Sequence, residues 1–114
     1  MVEDDPAVRA LVVRVLRGRG YTVVEAATGL QALEVLESRD GRLDLVVTDM
    51  VMPQMSGPAL VKRVAEHYPD IRVLFMSGFA AHRAVIDGID ESAPYLEKPF
   101  MPADLAQAVR RALQ

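Results

Sequence analysis

The sequence contains no cysteine and no tryptophan, and no apolar run approaches the roughly 20 residues that a transmembrane helix needs. Without cysteine, disulfides and thiolate metal sites are excluded. The 13 basic residues are scattered and stand against 16 acidic ones, for a formal net charge of −3. Nucleic-acid binding needs clustered Lys and Arg, so we expect no direct nucleic-acid contact. With no signal-peptide features and no direct membrane contact predicted, we expect a soluble, cytoplasmic domain.

Short runs rich in Val and Leu alternate with segments of helical periodicity along the 114 residues, which we assign to one domain, residues 1–114. The runs lack polar alternation, which is typical of strands buried on both faces. They are Tyr21–Val24, Leu43–Val47, Val73–Met76 and Tyr95–Leu96. Buried strands that alternate with helices predict right-handed βαβ connections and a parallel sheet with helices on both faces.

Apolar residues at helical spacing mark the helices between these strands. The four clearest stripes run through Val8, Leu11, Val12, Val15 and Leu16; Leu30, Leu33 and Leu36; Leu60, Val61, Val64, Ala65 and Tyr68; and Leu105, Val109 and Leu113. Thr28 and Ser56 are well placed as N-caps of the second and third helices. A further helix is expected within Phe79–Ala93, but Gly88 and a crowded acidic end weaken it. We therefore predict that Ala80–Ser92 is the least ordered part of the domain.

The first predicted strand is unusually short. A strand of this kind has about five residues, yet only Met1 and Val2 precede the acidic cluster. Either the first strand is cropped or the chain was cut from a longer protein, and the second interpretation is favoured.

Polar side chains follow each predicted strand, at the sheet edge where ligands bind in open parallel sheets. Three acids, Glu3, Asp4 and Asp5, follow the first strand, and Asp49 follows the third. If these strands are neighbours, their carboxylates converge and demand a cation. Carboxylate oxygens suit a hard ion such as Mg²⁺.

Phosphoryl transfer needs an in-line nucleophile, a metal and donors for the equatorial oxygens. A carboxylate can be the nucleophile and form an aspartyl phosphate. In this hypothesis Asp49 attacks, Glu3 and Asp4 hold the metal, Lys98 pairs with a phosphoryl oxygen and Ser77 donates a hydrogen bond. Each feature alone has a simpler interpretation. The acids could form a solvated turn in which Asp4 or Asp5 caps the first helix, and Lys98 could be an exposed lysine.

Five motifs together resemble the receiver domains of bacterial response regulators: Val2-Glu3-Asp4-Asp5, Thr48-Asp49-Met50-Val51-Met52-Pro53, Met55-Ser56-Gly57, Met76-Ser77-Gly78 and Glu97-Lys98-Pro99-Phe100. The resemblance spans essentially the whole chain. It implies a flavodoxin-like fold with five parallel strands in the order 2-1-3-4-5 and five flanking helices.

The same resemblance implies a role for each matching residue. Asp49 matches the phosphoacceptor, Glu3 and Asp4 match the acidic pair that holds Mg²⁺, and the backbone carbonyl of Val51 completes the metal shell. Ser77 matches the switch hydroxyl, Lys98 the lysine that contacts the phosphoryl group, and Tyr95 the aromatic residue that changes rotamer on activation. Glu3 and Ser77 replace the commoner Asp and Thr, and Met101 stands where a Ser or Thr often caps the last helix.

The phrase Leu74-Phe75-Met76-Ser77-Gly78-Phe79 is similar to receivers at the C-terminus of hybrid sensor histidine kinases. The expected partner is a histidine kinase or histidine phosphotransfer domain, within a parent protein that could be membrane-anchored. Three alternatives remain open: a stand-alone regulator, an Mg²⁺-dependent phosphohydrolase with an aspartyl nucleophile, and a docking module without phosphorylation. The domain is expected to be no enzyme beyond slow self-dephosphorylation, with Val51 and Phe79 obstructing the attacking water. The sequence leaves the oligomeric state open.

Overall fold

A computed structural model of the chain describes residues 1–50, 52, 54–77, 95–98 and 100–114, apart from the side chains of Ser77 and Tyr95. Within these residues it contains three strands and four helices. The strands are β1 (Leu45–Asp49), β2 (Arg72–Ser77) and β3 (Tyr95–Glu97). The helices are α1 (Pro6–Gly18), α2 (Gly29–Ser38), α3 (Gly57–His67) and α4 (Pro102–Leu113).

The three strands form a parallel sheet in the order β1-β2-β3. Beyond β1, Val2 makes parallel bridges to Thr48 on one side and to Ala26 on the other. The described pairings therefore run from the Ala26 segment through Val2 to β1, β2 and β3, which agrees with the predicted order 2-1-3-4-5. The predicted α/β class with a parallel, flavodoxin-like sheet is confirmed.

The segment Tyr21–Val24 differs from its prediction as a strand. It contains no regular strand, and the pairing on this side of the sheet is limited to the Val2–Ala26 bridge. A strand is defined by a ladder of inter-strand hydrogen bonds, and a single bridge does not make one. Tyr21, Val23 and Val24 are half-buried and Thr22 is exposed, so the predicted burial of this segment on both faces is wrong as well as its regular pairing.

The helix starts follow the predicted capping. The Thr28 hydroxyl accepts a hydrogen bond from the backbone N–H of Gln31 at 3.0 Å, and the Ser56 hydroxyl accepts one from Ala59 at 3.2 Å. At α4, the Asp104 carboxylate accepts a hydrogen bond from the Met101 N–H at 3.1 Å, which satisfies the amide of the N-cap residue but does not replace a side-chain cap for the first turn. The helix predicted within Phe79–Ala93, and the low order predicted for Ala80–Ser92, lie outside the described residues.

Two apolar clusters cover the two faces of the sheet. One joins the sheet to α2 and α3 through Val46, Leu36, Leu60 and Val64. The other joins it to α1 and α4 through Val12, Leu16, Val47, Leu74, Leu105 and Val109. Because both faces are covered, β1 is buried along almost its whole length, as an all-parallel sheet requires.

Four residues of the predicted stripes lie outside these clusters, namely Leu11, Leu30, Val61 and Ala65. Leu11 of α1 and Leu30 of α2 are 37% and 50% exposed, whereas Val13 is buried. The face of α1 toward the sheet is therefore rotated toward Val13 relative to the predicted stripe. None of the described helices is long and apolar enough to cross a membrane.

Candidate functional site

Three chain segments meet at the carboxyl edge of the sheet. Glu3 follows the bridging residue Val2, Asp49 is the last residue of β1, and Lys98 directly follows β3. The backbone N–H of Glu3 donates to Ala26 O at 3.1 Å, and that of Asp49 donates to Val2 O at 3.1 Å. The two acids are thus fixed by the sheet itself, and the parallel arrangement brings their side chains to one edge.

Lys98 is shared between the two buried acids. Its Nζ lies 3.2 Å from Glu3 Oε2 and 3.3 Å from Asp49 Oδ2. Glu3 is 1% exposed and Asp49 is 8% exposed. In such a poorly hydrated setting these charge-assisted contacts are stronger than surface ion pairs. The ammonium group of Lys98 therefore holds the two carboxylates together.

Asp4 adds a third, exposed carboxylate to this pair. One carboxylate oxygen from each of Glu3, Asp4 and Asp49 lies within 4.8 Å of the other two. Hard divalent cations such as Mg²⁺ prefer carboxylate oxygens and retain several waters, which the exposed Asp4 side of the cluster permits. The donor set therefore fits a magnesium ion.

The pKa of Glu3 reflects this crowding. Burial raises the pKa of the Glu3 carboxyl above its ordinary value, and the negative charge of Asp49 raises it further. Lys98 and the backbone N–H of Asp5 oppose the shift by stabilising the charged form. Like charges held this close favour either a proton or a metal ion between them.

The acidic turn is held in place by its neighbours. Asp5 caps α1, since its Oδ1 accepts hydrogen bonds from the N–H groups of Ala7 at 2.9 Å and Val8 at 3.4 Å. The simpler interpretation of this acid as a helix cap is therefore correct for Asp5. Arg9 donates from Nη1 to the backbone carbonyl of Glu3 at 2.8 Å, and its Nε lies 3.6 Å from Glu25 Oε1.

Arg9 and Gly57 support the site through contacts that were not predicted from the sequence. Gly57 donates from its N–H to Met50 O at 2.9 Å, and a β-carbon added there would lie 2.2 Å from Asp49 O. The signal for Arg9 was a basic residue one turn into the helix that follows an acidic cluster. The signal for Gly57 was a glycine at the first helical position, where Ser, Pro or Glu would be more favourable for the helix itself.

The other predicted site residues are only partly described. Ser77 is the last residue of β2 and pairs with Glu97 of β3, while Met76 pairs with Asp49. The Ser77 backbone thus ends at the same sheet edge as Asp49. Tyr95 opens β3. The side chains of Ser77 and Tyr95, the whole of Val51, and Phe79 lie outside the described residues.

Comparison with known proteins agrees with this geometry. A family model for the response regulator receiver domain matches residues 1–110. The chain belongs to this family. It is a receiver domain of two-component signalling, a class of phosphoacceptor domain that generally binds Mg²⁺ at an acidic pocket and takes phosphate from histidine kinases or phosphotransfer proteins.

Relatives of this receiver occur in two kinds of protein. The chain is 44% identical to part of the sensor kinase CckA of Brucella abortus, over 100% of the chain but 12% of the kinase. It is 36% identical to the response regulator receiver protein CpdR of Brucella abortus, over 99% of the chain and 93% of that protein. A solved receiver domain from the hybrid histidine kinase CckA superposes with a TM-score of 0.83 at 37% identity, over 99% of the chain and 95% of that structure.

Proposed function

We propose that this receiver accepts a phosphoryl group on the carboxylate of Asp49 in a reaction that depends on Mg²⁺. The donor is the phosphohistidine of a histidine kinase or of a histidine phosphotransfer domain. The observation that supports this most is the position of Lys98, whose Nζ lies 3.3 Å from Asp49 Oδ2 beside two further carboxylates. That arrangement combines a nucleophile, a cationic donor and a metal-binding acid cluster, which are the parts phosphoryl transfer needs.

The bond changes are simple. An Asp49 carboxylate oxygen forms the new bond to phosphorus, and the bond between phosphorus and the imidazole nitrogen of the donor breaks, its electron pair staying on that nitrogen. Glu3, Asp4 and Asp49 would hold Mg²⁺, together with the carbonyl of Val51. The bound ion would neutralise charge on the phosphoryl oxygens. The ammonium group of Lys98 neutralises part of the same charge.

Lys98 changes partners in this scheme. In the structure it divides its contacts between Glu3 and Asp49. Once Asp49 carries a phosphoryl group, the ammonium pairs with a phosphoryl oxygen, and Ser77 donates a hydrogen bond to another. Ser77 and Tyr95 are the switch residues, whose side chains rearrange as the site changes. Their places at the end of β2 and the start of β3 support this role.

The setting is the receiver of a hybrid sensor histidine kinase, and residues 1–114 form that receiver. The sensor kinase relative and the solved hybrid-kinase receiver support this assignment, and the CpdR relative supports the alternative of a stand-alone regulator. The domain acts as a phosphoacceptor with slow self-dephosphorylation at most, in the cytoplasm, without direct contact to nucleic acid or membrane.

Phosphorylation from a small donor tests the proposal. With Mg²⁺ and acetyl phosphate, intact-mass spectrometry is expected to show one added phosphoryl group, and borohydride trapping is expected to locate it on Asp49. Asp49→Asn should abolish the label. Asp44→Asn is the matched control, because Asp44 is an exposed aspartate at the opposite end of β1. Label on another residue of the wild type, or label that survives Asp49→Asn, would contradict the assignment.

A further inference from the structure

Thr48 carries a hydroxyl group inside the sheet, one residue before the candidate phosphoacceptor. Its side chain is 0% exposed. Within the sheet it lies between Val2 on one side and Phe75 on the other, and both of these apolar residues are buried. A buried hydroxyl is unfavourable unless it forms a hydrogen bond, and valine, which occupies the two preceding positions of β1, has a similar shape without that requirement. The hydroxyl of Thr48 therefore needs a specific partner.

That partner is the backbone carbonyl of Asp49. Thr48 Oγ1 donates a hydrogen bond to Asp49 O at 3.0 Å, and the contact is buried. The N–H of Asp49 donates to Val2 O at 3.1 Å, and in a parallel ladder the N–H and C=O of one residue point to the same side. On that side the pairing of β1 consists of the isolated bridge at Val2. At the end of β1, a side-chain hydroxyl thus bonds a carbonyl that faces this short pairing.

The peptide group between Asp49 and Met50 is fixed at both of its polar atoms. Its N–H, which belongs to Met50, donates to Met76 O of β2 at 3.0 Å, and its carbonyl accepts from Thr48. The start of α3 packs against the same carbonyl, because a β-carbon added at Gly57 would lie 2.2 Å from its oxygen. This peptide plane therefore has little freedom to rotate.

The orientation of this peptide plane controls where the Asp49 carboxylate points. The Cα of Asp49 joins two peptide groups. The first donates its N–H to Val2 O, and the second is the one fixed by Thr48. The side chain leaves from that Cα toward Lys98, whose Nζ lies 3.3 Å from Asp49 Oδ2. A misplacement of about 1 Å at a reacting group can lower a rate on the order of 100-fold, so a rotation of the second peptide would affect the reaction.

We propose that Thr48 is a positioning residue for phosphoryl acceptance. Its buried hydroxyl fixes the carbonyl of Asp49, and in this way it fixes the direction of the carboxylate that attacks phosphorus. Thr48 does not contact the phosphoryl group itself. The proposal rests on the proposed function of Asp49 as the phosphoacceptor. A purely structural hydroxyl would differ from this, because it would contribute to folding and leave the rate of the reaction unchanged.

Two substitutions at Thr48 separate the hydroxyl from the rest of the side chain. Thr48→Val keeps the shape and removes the hydroxyl, whereas Thr48→Ser keeps the hydroxyl and removes a methyl group from the core. Val64→Ala is the control for stability. Val64 is buried in α3, two turns along the helix from Gly57, so its truncation leaves a cavity in the core away from the Asp49 carbonyl.

The first measurement is the rate at which acetyl phosphate and Mg²⁺ label Asp49, followed by intact-mass spectrometry at a temperature where all four proteins are folded. Thr48→Val is expected to lower this rate by at least about tenfold, because the Asp49 carbonyl is no longer fixed. Thr48→Ser and Val64→Ala are expected to label at close to the wild-type rate. Both should nevertheless melt at a lower temperature, since each loses buried apolar atoms.

Hydrogen exchange, without metal or phosphodonor, gives a second measurement that does not depend on the reaction. The Met50 amide belongs to the peptide group whose carbonyl loses its hydrogen bond. It is expected to exchange at least about threefold faster in Thr48→Val than in Thr48→Ser. The Val2 amide, which donates to Val47 O at 2.7 Å, is the reference in the same sheet. The ratio of the Met50 rate to the Val2 rate corrects for differences in global stability.

The proposal is overturned if wild type and Thr48→Val are labelled at the same rate. It is also overturned if Thr48→Ser or Val64→Ala loses as much rate as Thr48→Val, since labelling would then follow stability instead of the hydroxyl. An equal ratio of Met50 to Val2 exchange in both Thr48 variants would show that the hydroxyl does not fix the peptide. These outcomes leave the function of Asp49 intact, whereas a wild type without label on Asp49 would overturn the proposed function as well.

Discussion

The contact between Gly57 and the backbone of Asp49 makes the candidate site sensitive to a single methyl group. A β-carbon at Gly57 would lie 2.2 Å from Asp49 O and 2.9 Å from the Cα of Met50. Ordinary contacts begin near 3.4 Å. Because the opposing atoms are backbone, no side chain can rotate away. Gly57→Ala must separate the start of α3 from the end of β1 by about 1 Å, the difference between the 2.2 Å approach to Asp49 O and an ordinary contact of 3.4 Å.

Two effects of Gly57→Ala follow from that displacement. Overpacking of this kind destabilises a fold by about 1–3 kcal/mol, which urea unfolding would detect. A displacement of about 1 Å at a reacting group can lower a rate on the order of 100-fold. We therefore expect the initial rate of acetyl phosphate labelling of Asp49 to fall by at least about tenfold. The rate is measured without urea, at a temperature where both proteins are folded.

Gly18→Ala is the matched control for this comparison. Gly18 ends α1, and a β-carbon there would meet no atom within 4 Å. Alanine in a helix is favoured over glycine by roughly 0.5–1 kcal/mol, so this variant should be as stable as wild type or more so, with an unchanged labelling rate. If Gly57→Ala labels at the wild-type rate while folded, the close approach does not position Asp49, and the reasoning is refuted.

Three further variants probe the charges and their supports. Lys98→Met leaves Glu3 and Asp49 without their shared cation, so its free energy of unfolding in metal-free buffer at neutral pH should be lower by at least about 1 kcal/mol. Mg²⁺ should stabilise this variant more than wild type. Equal urea midpoints of the two proteins would contradict this. Burial raises the pKa of Glu3 above its ordinary value of 4.5, so the native state holds this proton more tightly than the unfolded state, and metal-free stability should fall as pH rises from 4.5 through the raised pKa. Glu3→Gln should remove that fall in urea titrations across pH, and an unchanged profile would count against the cause. Arg9→Met should weaken Mg²⁺ binding by about tenfold by freeing the Glu3 carbonyl, measured by calorimetry, with Arg14→Met as an exposed control in the same helix.

Local signals in the sequence predicted most of the described fold. The helix starts at Thr28 and Ser56 were predictable because a cap is a contact between residues three apart. The burial of β1 on both faces was predictable from an unbroken apolar run. The order of the strands was implied by the resemblance of the five motifs to receiver domains, because the rules for parallel connections predict a parallel sheet and not its strand order.

The supports of the candidate site were not predictable in the same way. Arg9 binds a backbone carbonyl of Glu3, and Gly57 packs against that of Asp49. Every residue carries a backbone carbonyl, so neither contact leaves a residue-type pattern at the receiving end. The failure at Tyr21–Val24 has a related cause. Its composition predicts a buried strand, whereas its side chains are at most half-buried and its described pairing is a single bridge, and both depend on contacts outside the segment.

The charge balance at the sheet edge suggests how phosphorylation would reach the rest of the domain. Three carboxylates and one ammonium leave a formal charge of −2, from three negative charges and one positive, so one divalent cation makes the cluster neutral. A phosphoryl group on Asp49 then adds negative charge beside Lys98, which has two carboxylate partners at nearly equal distances. A cation divided between two partners responds to a change at either one. Lys98 directly follows β3, and Phe100 two residues later packs on the apolar cluster that joins the sheet to α1 and α4. We therefore expect β3 and α4 to carry the conformational response to phosphorylation away from Asp49.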